Sequence, residues 1–161
     1  MQNKEFTNYE IVIKKLEKYC SLSERCKFDV IKKLNALQIY KKQNEIIDHL
    51  ITNNFINEKR FTSLYSNGKF NAKNWGKVKI TYNLHQKGID SELIRSSINN
   101  ISKKKYIDTM KNLIIKKSKL INEKNIFIKK TKIARYLYQK GYETELVWKL
   151  LNMNLKKVND Q

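Results

Sequence analysis

The chain has 161 residues, 40% of them hydrophobic, enough for one sizeable core or a row of small helical modules and too many for wholesale disorder. Lys and Arg number 34 against 15 Asp and Glu, a net charge of +19 that attracts phosphate polymers or acidic protein surfaces, although a chain so rich in Lys, Asn and Ile and without proline also fits biased codon composition. No uncharged run approaches the ~18 residues of a membrane span, and Met1 to Glu5 holds no apolar stretch of a leader, so a cytoplasmic protein without a membrane segment is expected.

Thr7-Asn8-Tyr9-Glu10 reads as a capping box, and Tyr9, Val12, Leu16 and Tyr19 recur behind it at helical spacing, predicting a first helix that ends near Cys20. Ser21-Leu22-Ser23-Glu24 repeats the capping signal before a second helix marked by Val30, Leu34 and Leu37. Ile46, Ile47, Leu50 and Ile51 mark a third, which Asn53-Asn54 breaks. Cys20 and Cys26, the only cysteines, match no zinc or redox spacing and read as reduced thiols, Cys20 packing on its helix face. Asn57 can cap a fourth helix whose stripe of Phe61, Leu64 and Tyr65 fades into Asn67-Gly68, leaving Lys69 to Asn74 as a loop or helix end.

Residues 77–94 and 130–147 then carry one pattern twice, 53 residues apart. Ile80, Leu84, Gln86, Lys87, Gly88, Glu92 and Leu93 align with Ile133, Leu137, Gln139, Lys140, Gly141, Glu145 and Leu146. In each copy an apolar i, i+4 pair makes a helical stripe, a lysine stands in its last turn, and glycine follows as a positive-φ stop. Asp90 and Thr144 are suited to cap the helix after each glycine. Between the copies a long helix runs from Ser102 to about Lys119 with Tyr106, Met110, Leu113 and Ile114 inward, and Asn122 to Asn125 makes a break. The whole reads as an all-α chain of eight or nine helices, a quasi-one-dimensional array of three-helix modules at 8–55, 57–101 and 103–153, with a frayed tail at 154–161.

Charge is uneven along this array: +3 over residues 1–57, +5 over 58–102, +9 over 103–132 and +2 over 133–161. Lys69 to Ile80 mixes lysines (Lys69, Lys73, Lys77, Lys79) with Phe70 and Trp75 and includes no acid, the mixture expected where ammonium groups neutralise phosphates and rings supply stacking area. Trp75 beside Gly76 reads equally as a core anchor with close helix contact. Lys77, Lys79, Lys130 and Lys132 occupy equivalent positions in the two copies, and Lys129 extends the second run. These lysines form either a functional surface or a solvated face. Catalysis is not expected: His49 and His85 lie on different helices, no nucleophile or Gly-rich phosphate motif occurs, and carboxylates are sparse. No metal or cofactor is expected either.

The chain resembles the RecX family of regulatory proteins over about residues 10 to 152. The resemblance rests on Asn54-Phe55-Ile56-Asn57-Glu58-Lys59-Arg60-Phe61, Trp75-Gly76 through Lys79-Ile80, Leu84-His85-Gln86-Lys87-Gly88-Ile89 and Tyr136-Leu137-Tyr138-Gln139-Lys140-Gly141-Tyr142. The first module departs from the family pattern, with Cys26-Lys27-Phe28-Asp29-Val30 where Ser-x-x-Glu-Leu is common. The resemblance implies three tandem three-helix modules forming a curved, elongated molecule. It further implies binding to the RecA filament on single-stranded DNA, lodging in its groove and inhibition of its ATPase and strand exchange; a monomer is expected. By position, Lys77, Lys79 and Lys87, and Lys130, Lys132, Arg135 and Lys140, match basic sites of the family motifs and are carried over as candidate filament or DNA contacts. Two rival readings remain at the level of sequence: a stand-alone nucleic-acid-binding module using the same lysines, and a structural adaptor whose charge reflects codon composition.

Overall fold

Apolar residues three and four apart give each segment one face to bury, and the computed structural model, which describes residues 2–155, meets that need with helices alone. Among the described residues there are nine and no strand: α1 (Gln2–Ser21), α2 (Lys27–Ala36), α3 (Gln43–Thr52), α4 (Glu58–Lys73), α5 (Lys77–His85), α6 (Ser91–Asn99), α7 (Lys103–Leu120), α8 (Ile126–Lys140) and α9 (Thr144–Asn154). They pack in consecutive triplets. α2 lies on α3; α4, α5 and α6 contact one another, as do α7, α8 and α9. No helix among the described residues is long and apolar enough to cross a membrane.

Two separate cores result. Leu16 and Cys20 of α1, Val30 and Leu34 of α2, Ile46, Ile47 and Leu50 of α3, and Ile56 form the first. The second takes in Cys26, at the start of α2, and runs from Phe61 of α4 to Leu155. It crosses from the second triplet to the third through a chain of rings: Phe70 stands 5.6 Å from Tyr106, and Tyr106 5.1 Å from Tyr142, both tilted. An accessible surface of 11196 Å² exceeds the about 8,500 Å² of a compact monomer of this mass, as a row of small cores requires.

Local chemistry explains most boundaries. Asn57, Asp90, Ser102 and Asn125 stand at N-caps, each accepting backbone N–H bonds from the first turn of its helix. Gly88 at φ +69° and Gly141 at φ +86° provide the left-handed stops expected of them.

Several expectations are corrected. α1 starts at Gln2, not behind Thr7, because Gln, Lys and Glu propagate a helix as readily as the capping box would begin one. α2 starts behind Cys26, not the Ser21 to Glu24 signal: the Cys26 N–H (3.5 Å) and Sγ (3.3 Å) both point to Asp29 Oδ2. α4 continues through Gly68 to Lys73, so Lys69 to Lys73 is helix, and Asn74 closes it in the left-handed region. Its buried stripe is Phe61, Thr62, Ser66 and Phe70, while Leu64 is exposed. Two small polar residues hid that stripe. Ser66 Oγ and Ser97 Oγ satisfy each other at 2.9 Å inside the core. Ile51 is exposed and Leu37 ends as the C-cap of α2. Thr144 is the first helical residue of α9, and the cap is Glu143. At the other end of α9, Asn154 is helical and Leu155 is buried; residues 156–161 of the anticipated tail lie outside the described residues.

Candidate functional site

The N-terminus of α5 sits on the C-terminus of α8, and a pair of glycines makes this possible. The Gly76 N–H donates to Lys140 O at 2.7 Å and the Val78 N–H to Gly141 O at 3.0 Å, so the free donors of one helix, its positive end, meet the free carbonyls at the negative end of the other. A Cβ on Gly76 would lie 2.1 Å from Gly141 O, and one on Gly141 would lie 2.2 Å from Lys79 Cβ. Glycine is required at both.

Basic side chains crowd this seam. Lys79 Nζ donates to Gln139 O (3.0 Å) and lies 4.7 Å from the Trp75 ring centre; Lys69 Nζ shares that ring at 5.1 Å and also stands over Tyr65. Lys140 Nζ donates to Lys73 O at 3.2 Å. The Lys77 N–H donates to Tyr106 Oη at 2.9 Å while its ammonium lies 5.1 Å over the same ring. Tyr106 Oη in turn donates to Glu143 Oε2 at 2.6 Å. Burial, followed by the bond to Glu143, holds the Tyr106 phenol far above its ordinary pKa, so it stays a neutral donor.

The structure thus brings Lys69 and Lys79 onto Trp75, which packs half-buried against the second core, and sets Lys77 over Tyr106 and Lys140 beside Tyr136 along the same seam, whereas Lys73 contributes its backbone carbonyl and is otherwise exposed. Two lysines of α7 join the group. Lys105 reaches across from α7 to Asn71 Oδ1 (2.7 Å) and lies over Phe70; Lys117 lies over Tyr136, the ring that Lys140 also approaches. Both stood in a lysine-rich helix with nothing to single them out. The cations here are held by rings and carbonyls, leaving their N–H groups only partly used.

The remaining candidates lie elsewhere. Lys87 is at the junction of the two cores, 2.6 Å from Asp29 Oδ1 and over Phe28 and Phe61. Burial pushes Asp29 up, but the bonds from Lys87 and Cys26 outweigh it and leave the carboxyl below its ordinary value; burial pulls Lys87 down, and Asp29 more than restores it. Arg60 and Glu24 form a second bridge across that junction at 2.5 Å. Burial pushes the Cys26 thiol there, and that of Cys20, up to about 11. Lys130 donates to Asn152 Oδ1 (3.0 Å) and Lys132 pairs with Glu123 (2.9 Å), so the equivalence of these two lysines with Lys77 and Lys79 does not extend to their surroundings. Lys129 is half-buried and Arg135 exposed on α8. Gly88 has open space where a Cβ would stand. His49 pairs with Glu17 at 2.9 Å, in the first core's triplet, and His85 is exposed at the end of α5. No group of three or more His, Cys, Asp or Glu among the described residues could hold a metal ion.

Residues 57–98 match the family model described as RecX, second three-helix domain, and residues 105–151 that described as RecX, third three-helix domain, together more than half of the chain. The chain is 32% identical over 124 residues to the Regulatory protein RecX of Clostridium tetani (strain Massachusetts / E88), a match covering 70% of this chain and 52% of that protein. It therefore spans about half the length of that curated relative. Its fold is similar to the crystal structure of a regulatory protein RecX, with TM-score 0.79 and 19% identity over 87% of this chain and 71% of the other. It is also similar to that of RecX from Lactobacillus salivarius, with TM-score 0.76 and 25% identity over 88% and 92%.

Proposed function

Because the chain belongs to the RecX family of regulatory proteins, we propose that it is a non-enzymatic inhibitor of the RecA recombinase, acting on the RecA filament assembled on single-stranded DNA. It lodges in the filament groove as a cytoplasmic monomer, needs no cofactor, and slows ATP hydrolysis and strand exchange in recombination and repair. Three modules, 8–55, 57–101 and 103–153, serve as consecutive docking units. Several weak contacts on neighbouring subunits then add through effective concentration.

The observation that carries this reading is the gathering of the Lys69, Lys77, Lys79, Lys105 and Lys140 ammonium groups at one seam, where the bonded carboxylate, Glu143, is already engaged by Tyr106. Ammonium groups fixed over rings keep their charge and lose little entropy on meeting a phosphate or carboxylate. The test adds the purified protein to RecA on single-stranded DNA. ATP hydrolysis is expected to fall at substoichiometric amounts; unchanged hydrolysis and filament length across that range would reject inhibition. Bare single-stranded DNA is the control: binding to it as tight as to the filament would favour a stand-alone nucleic-acid module.

A further inference from the structure

The junction of α7 and α8 exposes an unusual set of apolar side chains. Ile126, Phe127 and Ile128 are three consecutive apolar residues at the start of a helix, and all three are exposed, Phe127 by 69%. Across the connection, Leu120 is 79% exposed and Ile115 46%. None of the five joins either core. Isolated exposed leucines are ordinary, but a consecutive exposed run, a short connection away from further exposed apolar residues, costs solubility with no return to folding, which is how interaction sites look.

The surroundings identify the partner's chemistry. Lys116, Lys119 and Lys124 are exposed around the patch, and the acid of the connection, Glu123, is paired with Lys132 and bonded to the Asn125 N–H, which holds its carboxyl below its ordinary value. A second copy of this chain would bring the same lysines together, so self-association is opposed. Base stacking would need flat rings, and four of the five side chains are aliphatic. An apolar pocket rimmed by carboxylates satisfies both features.

We propose that the α7–α8 tip is a protein-docking anchor that inserts Phe127 and Leu120 into an apolar pocket with an acidic rim. The proposal rests on the filament reading and assigns that pocket to the recombinase subunit, leaving the Trp75 seam to phosphates and rim charges. Two exposed anchors at the centre of a desolvated contact dominate affinity, whereas lysines on the rim mainly set approach rate and salt dependence.

The experiment compares wild type, the double variant Leu120→Ser/Phe127→Ser and the conservative Phe127→Leu. Each is titrated against RecA filaments on single-stranded DNA, the same DNA without RecA, and phosphatidylglycerol vesicles. The double variant is expected to lose about tenfold or more in filament affinity while keeping its thermal midpoint and its affinity for bare DNA. Phe127→Leu is expected to stay within about threefold of wild type, since a pocket accepts either side chain. Undiminished filament binding by the double variant overturns the anchor. So does an equal loss on bare DNA, which makes the tip a nucleic-acid surface, or wild-type binding to vesicles as tight as to filaments, which makes it a membrane surface. If the wild type itself does not bind filaments, the recombinase reading falls and the anchor with it, a result distinct from the other three.

Discussion

Gly88 and Gly141 occupy equivalent places in the two sequence copies and share a left-handed backbone, yet their substitution costs should differ. Gly88→Ala meets open space and should cost about 1 kcal/mol for the left-handed conformation alone. Gly141→Ala drives a methyl into Lys79 and should cost about 3 kcal/mol or more, read as the difference in urea midpoint. Equal losses would mean that the seam between α5 and α8 yields freely. Lys87 supplies a second residue-scale test. Removing its charge by Lys87→Met leaves a half-buried Asp29 without its cation and should cost about 2 kcal/mol at neutral pH. The Asp29 carboxyl lies below its ordinary value of 3.8, so its contribution is present above that pH and is lost as pH falls through the depressed value. The Lys87 ammonium lies above its ordinary 10.5, so its contribution is full below that pH and is lost as pH rises through the elevated value. The stability gap between wild type and variant should therefore be flat between those limits and close beyond both. A gap that varies across neutral pH would contradict the pairing.

At the scale of elements, the caps separate what a motif suggests from what it does. Asp90 accepts from Glu92 N and Leu93 N, so Asp90→Ala should cost about 1 kcal/mol. Thr144, which holds the equivalent capping signal, stands inside the first turn of α9, and Thr144→Ala should change stability by less than about 0.5 kcal/mol in the same denaturation assay. The contrast arises because Glu143 sits at the cap and turns its carboxylate to Tyr106, a residue 37 positions away. Helix existence was legible from apolar spacing almost everywhere. The course of α4 was not, since its stripe passes through Thr62 and Ser66, and those residues read as surface until Ser97 is seen opposite.

Over the whole molecule, the first core is small and is joined to the second through Cys26 and the Lys87–Asp29 and Arg60–Glu24 bridges. Hydrogen exchange should accordingly show α1 to α3 opening at lower free energy than α4 to α9, and the difference should widen in salt as the bridges are screened. A single opening free energy for all nine helices would show that the junction is stronger than its contacts suggest. The all-α class, the repeat, the glycine stops and the caps at Asn57 and Asp90 were readable from the chain because each depends on residues within a turn or two of one another, whereas the capping signals at Thr7, Ser21 to Glu24 and Thr144 do not stand at caps. The grouping of the lysines was not. Gly76 and Gly141 stand 65 positions apart, and whether a lysine such as Lys79, Lys87 or Lys132 faces a ring, a carbonyl or a carboxylate is decided by what another helix places opposite it. Local periodicity determines which faces are apolar; only tertiary packing determines which charges are already spoken for.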